Sequence, residues 1–163
     1  MIFCSVGTQL PFSRLVDYII KWVSELESDV DKVIIQSGEK RYFDINQNLQ
    51  FLDFIKPADF TNFFESADVI ISHAGMGNII RALELAKPIV IVPRLSSNNE
   101  HRNDHQVDTA ARFSSFDSVF VATNYNEFTL AMKLAAGFDN KDVSINFDER
   151  TKLIDFVNDC LRN

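Results

Sequence analysis

Six short apolar runs punctuate this chain, and that punctuation restricts the fold more than any single residue does. The runs are residues 1–6 (MIFCSV), 32–37 (KVIIQS), 50–55 (QFLDFI), 68–73 (DVIISH), 88–93 (PIVIVP) and 118–123 (SVFVAT). They are continuous rather than alternating, which is the pattern of strands buried on both faces of a parallel sheet. Amphipathic segments lie between them. In 12–27, Phe12, Leu15, Val16, Ile19, Ile20, Val23 and Leu26 fall at three- and four-residue spacing, one apolar stripe along a helix. Residues 58–67, 77–87, 103–114, 125–136 and 147–162 read as further helices. Strands separated by helices imply right-handed βαβ crossovers, so the expected class is α/β, a Rossmann-like doubly wound parallel sheet. No repeat, low-complexity tract or linker divides the sequence, and residues 1–163 are expected to form a single domain.

Bulk properties then exclude several kinds of function. At 46% hydrophobic and 24% charged the composition is that of a soluble globular protein, and no apolar run nears the roughly 18–20 residues of a membrane span. A net charge of −7 and an isoelectric point near 4.9 argue against a nucleic-acid partner, though not against a local cationic pocket. The start, MIFCSVGTQLPF, lacks the basic segment and long apolar stretch of a signal peptide. Cys4 and Cys160 have neither metal nor redox spacing, so a reducing, cytoplasmic setting is expected. The fifteen Phe residues read as core filling.

In an open parallel sheet ligands bind beyond the carboxyl ends of the strands, so the loops there carry the chemistry. After the first strand, Gly7 and Thr8 form either an anion cradle ahead of a helix or an ordinary turn. Gln36, Ser37 and Gly38 end the second strand and are equally open to both readings. The fourth strand ends at Ser72, and HAGMGN brings His73, Gly75 and Gly77 to the start of a helix. Glycines there let a backbone approach a ligand closely, and His73 can donate to a phosphate oxygen. The full G-x-G-x-x-G fingerprint is absent, so a bound dinucleotide is not supported. The loop 93–113, PRLSSNNEHRNDHQVDTAARF, is the most polar part of the chain and is long for a connection in an α/β unit. It reads as facing a ligand or as a set of caps and turns. Its H-x-x-D-H run also admits a third reading, a zinc hydrolase in which His101 and His105 share one helix face beside Asp104.

Five of these segments, VGT, IQSG, SHAGMGN, LELAKPIVIVP and NEHRNDHQ, occur in an order that resembles the C-terminal, donor-binding domain of family 28 glycosyltransferases. The resemblance is closest to short, single-domain members: small catalytic subunits of two-chain UDP-sugar transferases of lipid-linked chitobiose or of exopolysaccharide and capsule synthesis. It implies the C-terminal half of a GT-B fold and an inverting hexosyltransferase. It also implies a UDP-sugar as donor substrate, no cofactor and no metal. By the same resemblance, Gly7 and Thr8 line the cleft, and Ser72, His73, Ala74, Gly75, Met76, Gly77 and Asn78 form the diphosphate loop. Glu100, Asn103, His105 and Gln106 match the sugar-recognition stretch, with Gln106 contacting donor hydroxyls; His73, Glu100 and His105 are the candidate catalytic groups. On chemical grounds alone, Arg94 and Arg102 are expected to add positive charge near the phosphates or near a donor carboxylate. Many relatives hold the ribose with an acid seven residues before the proline; that position is Arg81 here, with Glu84 one turn on. The implied partner is a membrane-anchored, acceptor-binding subunit that presents a lipid-linked saccharide and holds this chain at the inner face of the membrane. A nucleotide-sugar-binding module that regulates rather than catalyses is the alternative.

Overall fold

The computed structural model describes residues 1–8, 10–26, 32–39, 48–139, 151 and 154–155. All six expected strands are present: β1 (Ile2–Ser5), β2 (Val33–Gln36), β3 (Leu49–Leu52), β4 (Val69–His73), β5 (Ile89–Val92) and β6 (Val119–Val121). They form one sheet of order β3-β2-β1-β4-β5-β6, with every neighbouring pair parallel. The chain therefore starts at the centre, winds outward to β3, returns beside β1 as β4, and winds out the other way. Where the direction reverses, the loops leaving β1 and β4 diverge and leave a crevice between them. The α/β, Rossmann-like expectation holds.

Continuous apolar strands are needed because both faces of the sheet are covered. On one face Cys4, Val6, Ile35, Ile71, Val90 and Val92 pack against Leu15, Val16 and Ile19 of α1 (Ser13–Glu25), and against Phe128 and Met132 of α5 (Tyr125–Ala136). On the other, Phe3, Ile34, Ile70, Ile89 and Ile91 meet Phe64 of α2 (Pro57–Ser66), Ile79 and Ala82 of α3 (Met76–Glu84), and Ala110 and Phe113 of α4 (His105–Phe113). The alternation of Phe3 and Cys4, or Ile70 and Ile71, between the two cores is the two-residue period of a strand. Each such side chain, fully buried, is worth about 1.5–3 kcal/mol of hydrophobic stabilisation. Phe3, Phe12, Phe64, Phe113 and Phe128 fill these cores as expected, whereas Phe54 is 71% exposed.

Three element boundaries differ from expectation. Helix α3 stops at Glu84 rather than 87, because Pro88 disfavours a helical Lys87. Ala86 takes φ 50°, and the Lys87 N–H bonds the Ala82 carbonyl at 2.8 Å to close the end. Helix α4 starts at His105 rather than 103, after a 3-10 turn at Ser96–Asn98. Strand β3 ends at Leu52, so 53–56 leaves the sheet. The helix expected over 147–162 and Cys160 lie outside the described residues, apart from positions 151, 154 and 155. Among the described residues no helix is long and apolar enough to cross a membrane.

Candidate functional site

Parallel register brings the polar strand ends into line. Ser5 sits opposite Gln36 on one side and Ser72 on the other. The Ser5 hydroxyl donates to Gln36 Oε1 at 3.0 Å, and Gln36 Nε2 donates to the Gly7 carbonyl at 3.2 Å. Ser72 Oγ donates to the Ser5 carbonyl at 3.2 Å and accepts from Asn78 Nδ2 at 2.8 Å. This chain of bonds joins the ends of β1, β2 and β4 to the first turn of α3. Gln36 had been open to both readings, whereas Ser5 was not among the expected site residues; the signal was a polar residue closing each of three adjacent strands.

Beyond that polar floor opens a cleft of about 400 Å³. Of the expected residues it gathers Gly7, Thr8, His73, Gly75, Gly77, Asn78, Arg94 and Gln106. Ser72 and Ala74 are buried just behind, with Ser72 bonding Asn78, and Met76 is 38% exposed outside the lining. Val6, Leu10, Phe54, Ile55, Phe60 and His101 also line it and were not expected there.

The two glycine-bearing loops close around one imidazole. Gly7 has φ +88°, and a Cβ on it would lie 2.8 Å from His73 Cε1. A Cβ on Gly75 would overlap His73 Nε2, so only glycine fits on either side of the ring. Nothing lies within 4 Å of a Cβ on Gly77, which faces open cleft. Burial, then the Arg94 charge, lower the His73 pKa to about 4 despite an opposing hydrogen bond with the Ser5 backbone. His73 is therefore neutral at pH 7. No side chain caps α3, whose N-cap is Gly75, so the N–H groups of its first turn remain available at the cleft.

Arg94, 3% exposed, does not reach into the cleft with free donors. Its Nη2 donates to the carbonyls of Val6 at 2.8 Å and Leu10 at 2.6 Å, and its Nη1 to Pro11 at 2.6 Å. Its guanidinium stacks over Phe12, 4.5 Å from the ring centroid. It thus ties the β1–α1 loop to β5, and only its charge acts on the cleft. Its backbone N–H donates to Gln106 Oε1 at 3.1 Å, which turns the Gln106 NH₂ outward as a pair of donors.

Glu100 corrects an expectation. Both its oxygens are held by Arg14, at 2.7 Å to Nε and 2.8 Å to Nη2, and one also accepts the Leu95 N–H at 2.9 Å. Although burial opposes it, these bonds lower the Glu100 pKa. A carboxylate held this way is a strut between loops rather than a base. Arg14 also donates to the carbonyls of Pro93 and Thr123, and was not singled out by its sequence context. His105 and Arg102 are exposed and outside the cleft.

The zinc reading fails on backbone conformation. Residues 101–104 are not helical and His105 is the first residue of α4, so the two imidazoles share no helix face. Asp104 is spent on the Ser96 N–H and hydroxyl, each at 2.9 Å. Among the described residues no group of three or more His, Cys, Asp or Glu could hold a metal ion. Arg81 also lies away from the cleft, 3.5 Å from Glu65 and stacked over Phe64 on the α2 side, and Glu84 is exposed.

Comparison with known proteins places the chain in a family. The chain is 32% identical over 72 residues to the UDP-N-acetylglucosamine transferase subunit ALG13 of Candida albicans, covering 44% of this chain and 23% of that protein. It is 34% identical over 88 residues to the Debaryomyces hansenii protein of the same name, covering 54% and 37%. The matches thus span well under half the length of these relatives. Among solved structures, it superposes on a solution structure of ALG13 with TM-score 0.58 at 21% identity, covering 81% of this chain and 83% of that one. MurG of Acinetobacter baumannii gives 0.57 at 20%, covering 83% of this chain and 44% of MurG. These structural likenesses are of fold, the GT-B glycosyltransferase half. The model of the glycosyltransferase family 28 C-terminal domain matches residues 1–155, and the chain belongs to that family.

Proposed function

We propose that this chain is the donor-binding subunit of a UDP-sugar-dependent, inverting hexosyltransferase. The observation that carries the reading is the crevice between β1 and β4, where an uncapped helix N-terminus and two glycine loops converge on a neutral imidazole. A diphosphate seated there lies against the N–H groups at Gly77 and Asn78, at the positive end of α3. Fixed dipoles of this kind stabilise the charge that grows on a leaving diphosphate without a metal ion. Arg94 adds its charge from beneath. Phe54 offers an exposed ring face to a base at the cleft wall, and the Gln106 NH₂ faces sugar oxygens.

Both curated relatives are named as subunits, which supports a second chain. In this reading the partner is membrane-anchored, presents a lipid-linked saccharide acceptor, and holds the subunit at the inner membrane face. The pathway class is exopolysaccharide or glycoconjugate synthesis. The test is a titration of the purified chain with UDP, with ADP as control. Saturable UDP binding that is lost in Gly75→Asp and weakened in His73→Ala supports the donor site; equal binding of ADP and UDP, or none of either, refutes it. Full sugar transfer to a lipid-linked acceptor by this chain alone refutes the two-chain part.

A further inference from the structure

Among the described residues, three titratable side chains line the cleft: His73, Arg94 and His101. Two of them are unsuited to accept a proton at neutral pH. Arg94 is a guanidinium whose N–H groups are engaged by backbone carbonyls. His73 is wedged between Gly7 and Gly75, where burial and the Arg94 charge oppose a second proton on its ring. The two other candidate bases of this region, Glu100 and His105, are respectively locked by Arg14 and exposed outside the cleft lining.

His101 is arranged differently. Its Nδ1 lies 3.1 Å from Asn103 Oδ1. That amide oxygen also accepts the His105 backbone N–H at 3.5 Å, which sets the orientation of the Asn103 side chain. An amide oxygen only accepts, so the shared proton sits on His101 Nδ1 and the lone pair sits on Nε2. A base whose far nitrogen is tied to an amide oxygen is the arrangement of a proton acceptor with its orienting residue. The ion pair of Glu100 with Arg14 fixes the residue immediately before it, and Asp104, bound to Ser96, fixes the loop just after.

We propose that His101, oriented by Asn103, is the general base that takes the proton of the attacking hydroxyl when a sugar is transferred from the nucleotide donor in this cleft. The proposal rests on the donor-site reading above. In the step, the acceptor oxygen forms a bond to the anomeric carbon while the bond from that carbon to the diphosphate oxygen breaks. The electron pair leaves on the diphosphate, and the acceptor proton passes to His101 Nε2, while the other ring proton stays on Nδ1 and is donated to Asn103 Oδ1. The resulting imidazolium faces the newly formed diphosphate charge, together with Arg94, and then returns its proton to solvent. Asn103 is a positioning residue, because it acts through His101.

The test uses the full chain and water as the attacking hydroxyl. Release of UDP from UDP-GlcNAc, UDP-glucose, UDP-galactose and UDP-glucuronate is followed across pH 5 to 8, beside a UDP titration of each variant. The expected result is a rate that rises with pH through one ionisation. His101→Gln should lower that rate by roughly 100-fold or more, the usual worth of a positioned base, and abolish the pH dependence without changing UDP affinity. Asn103→Ala should lower it about tenfold, as losses of an orienting partner do, and Asn103→Asp should restore it. Long-range ¹H–¹⁵N NMR at neutral pH should find His101 as the Nδ1–H tautomer, reverting toward Nε2–H in Asn103→Ala. An Nε2–H tautomer in the unaltered chain, or an unchanged rate in His101→Gln, overturns the assignment and moves the base to the partner chain. UDP binding without any UDP release refutes this inference alone, whereas failure to bind UDP refutes the donor-site reading beneath it.

Discussion

A buried neutral histidine makes stability depend on pH in a definite direction, and His73 is where that can be measured. Its pKa falls from 6.5 to about 4 because burial and the Arg94 charge disfavour the imidazolium. The unfolded chain therefore binds the proton first. The contribution is fully present above pH 6.5, declines as pH falls, and is gone below the folded value near 4. Across the whole window the shift corresponds to about 3 kcal/mol, at roughly 1.4 kcal/mol per pH unit of displacement. Between pH 7.5 and 5.0, above the range where most carboxylates titrate, the loss should be about 2 kcal/mol. In a urea titration that is a midpoint shift of roughly 1 M for a chain of this size. The informative comparison is with His73→Gln, which has no ionisation at this position while His101, His105 and the carboxylates remain. Its midpoint should move by correspondingly less over the same pH change, and the difference between the two proteins isolates His73. An NMR titration gives the same answer without denaturant: the His73 ring signals should not shift until the pH approaches 4. Parallel stability profiles for the two proteins, or a His73 ring that titrates near 6.5, would refute the claim that the imidazole is buried and neutral between the two glycine loops.

Other consequences follow from the packing around the same cleft. Gly7→Ala combines a φ of +88° with a Cβ 2.8 Å from the His73 ring, and should cost about 1–3 kcal/mol in thermal or urea unfolding and weaken UDP binding as His73 is displaced. Gly77→Ala should do the opposite to stability: its Cβ meets nothing within 4 Å, so replacing a helical glycine should stabilise by about 0.5–1 kcal/mol. The same methyl group occupies the cradle, so UDP affinity should fall, and a titration showing unchanged affinity would argue that the diphosphate lies elsewhere. Arg94→Met removes the donors for the Val6, Leu10 and Pro11 carbonyls and should destabilise by roughly 3 kcal/mol or more, measured by urea unfolding. Arg14→Gln with Glu100→Gln, combined in a double-mutant cycle of unfolding free energies, should show a coupling of about 1–3 kcal/mol, since both side chains are mostly buried and paired through two hydrogen bonds.

What a sequence can convey depends on how far apart the partners of an interaction lie. Strand and helix signals are local. The apolar runs and their spacing placed all six strands and the five helices from α1 to α5 to within a few residues, because a strand buried on both faces leaves no other composition open to it. The glycines at 7 and 75 were visible as turn residues, but their shared reason was not: each makes room for the ring of a histidine that is 66 positions from one and two from the other. The loop 93–104 shows the limit most plainly. Glu100 matched the sugar-recognition stretch and His101 beside it did not, yet Glu100 is a strut and His101 lines the cleft, a distinction made by Arg14 from 86 positions away. Arg94 likewise takes its partners from Val6 and Leu10, 88 and 84 positions back. Such pairings exist only because the strand order puts β1 beside β4 and β4 beside β5, so that the loops following all three meet at one edge. The topology itself was inferable from the alternation of elements. The assignment of roles within the loops was not, because arginines and carboxylates that stand hydrogen-bonded inside a protein are the same residue types that stand free in a binding site. In this cleft the groups tied into the fold, Arg14, Arg94 and Glu100, hold the loops in place, and what they leave facing the opening includes two imidazoles, the Gln106 amide, the Thr8 hydroxyl and the N–H groups of α3.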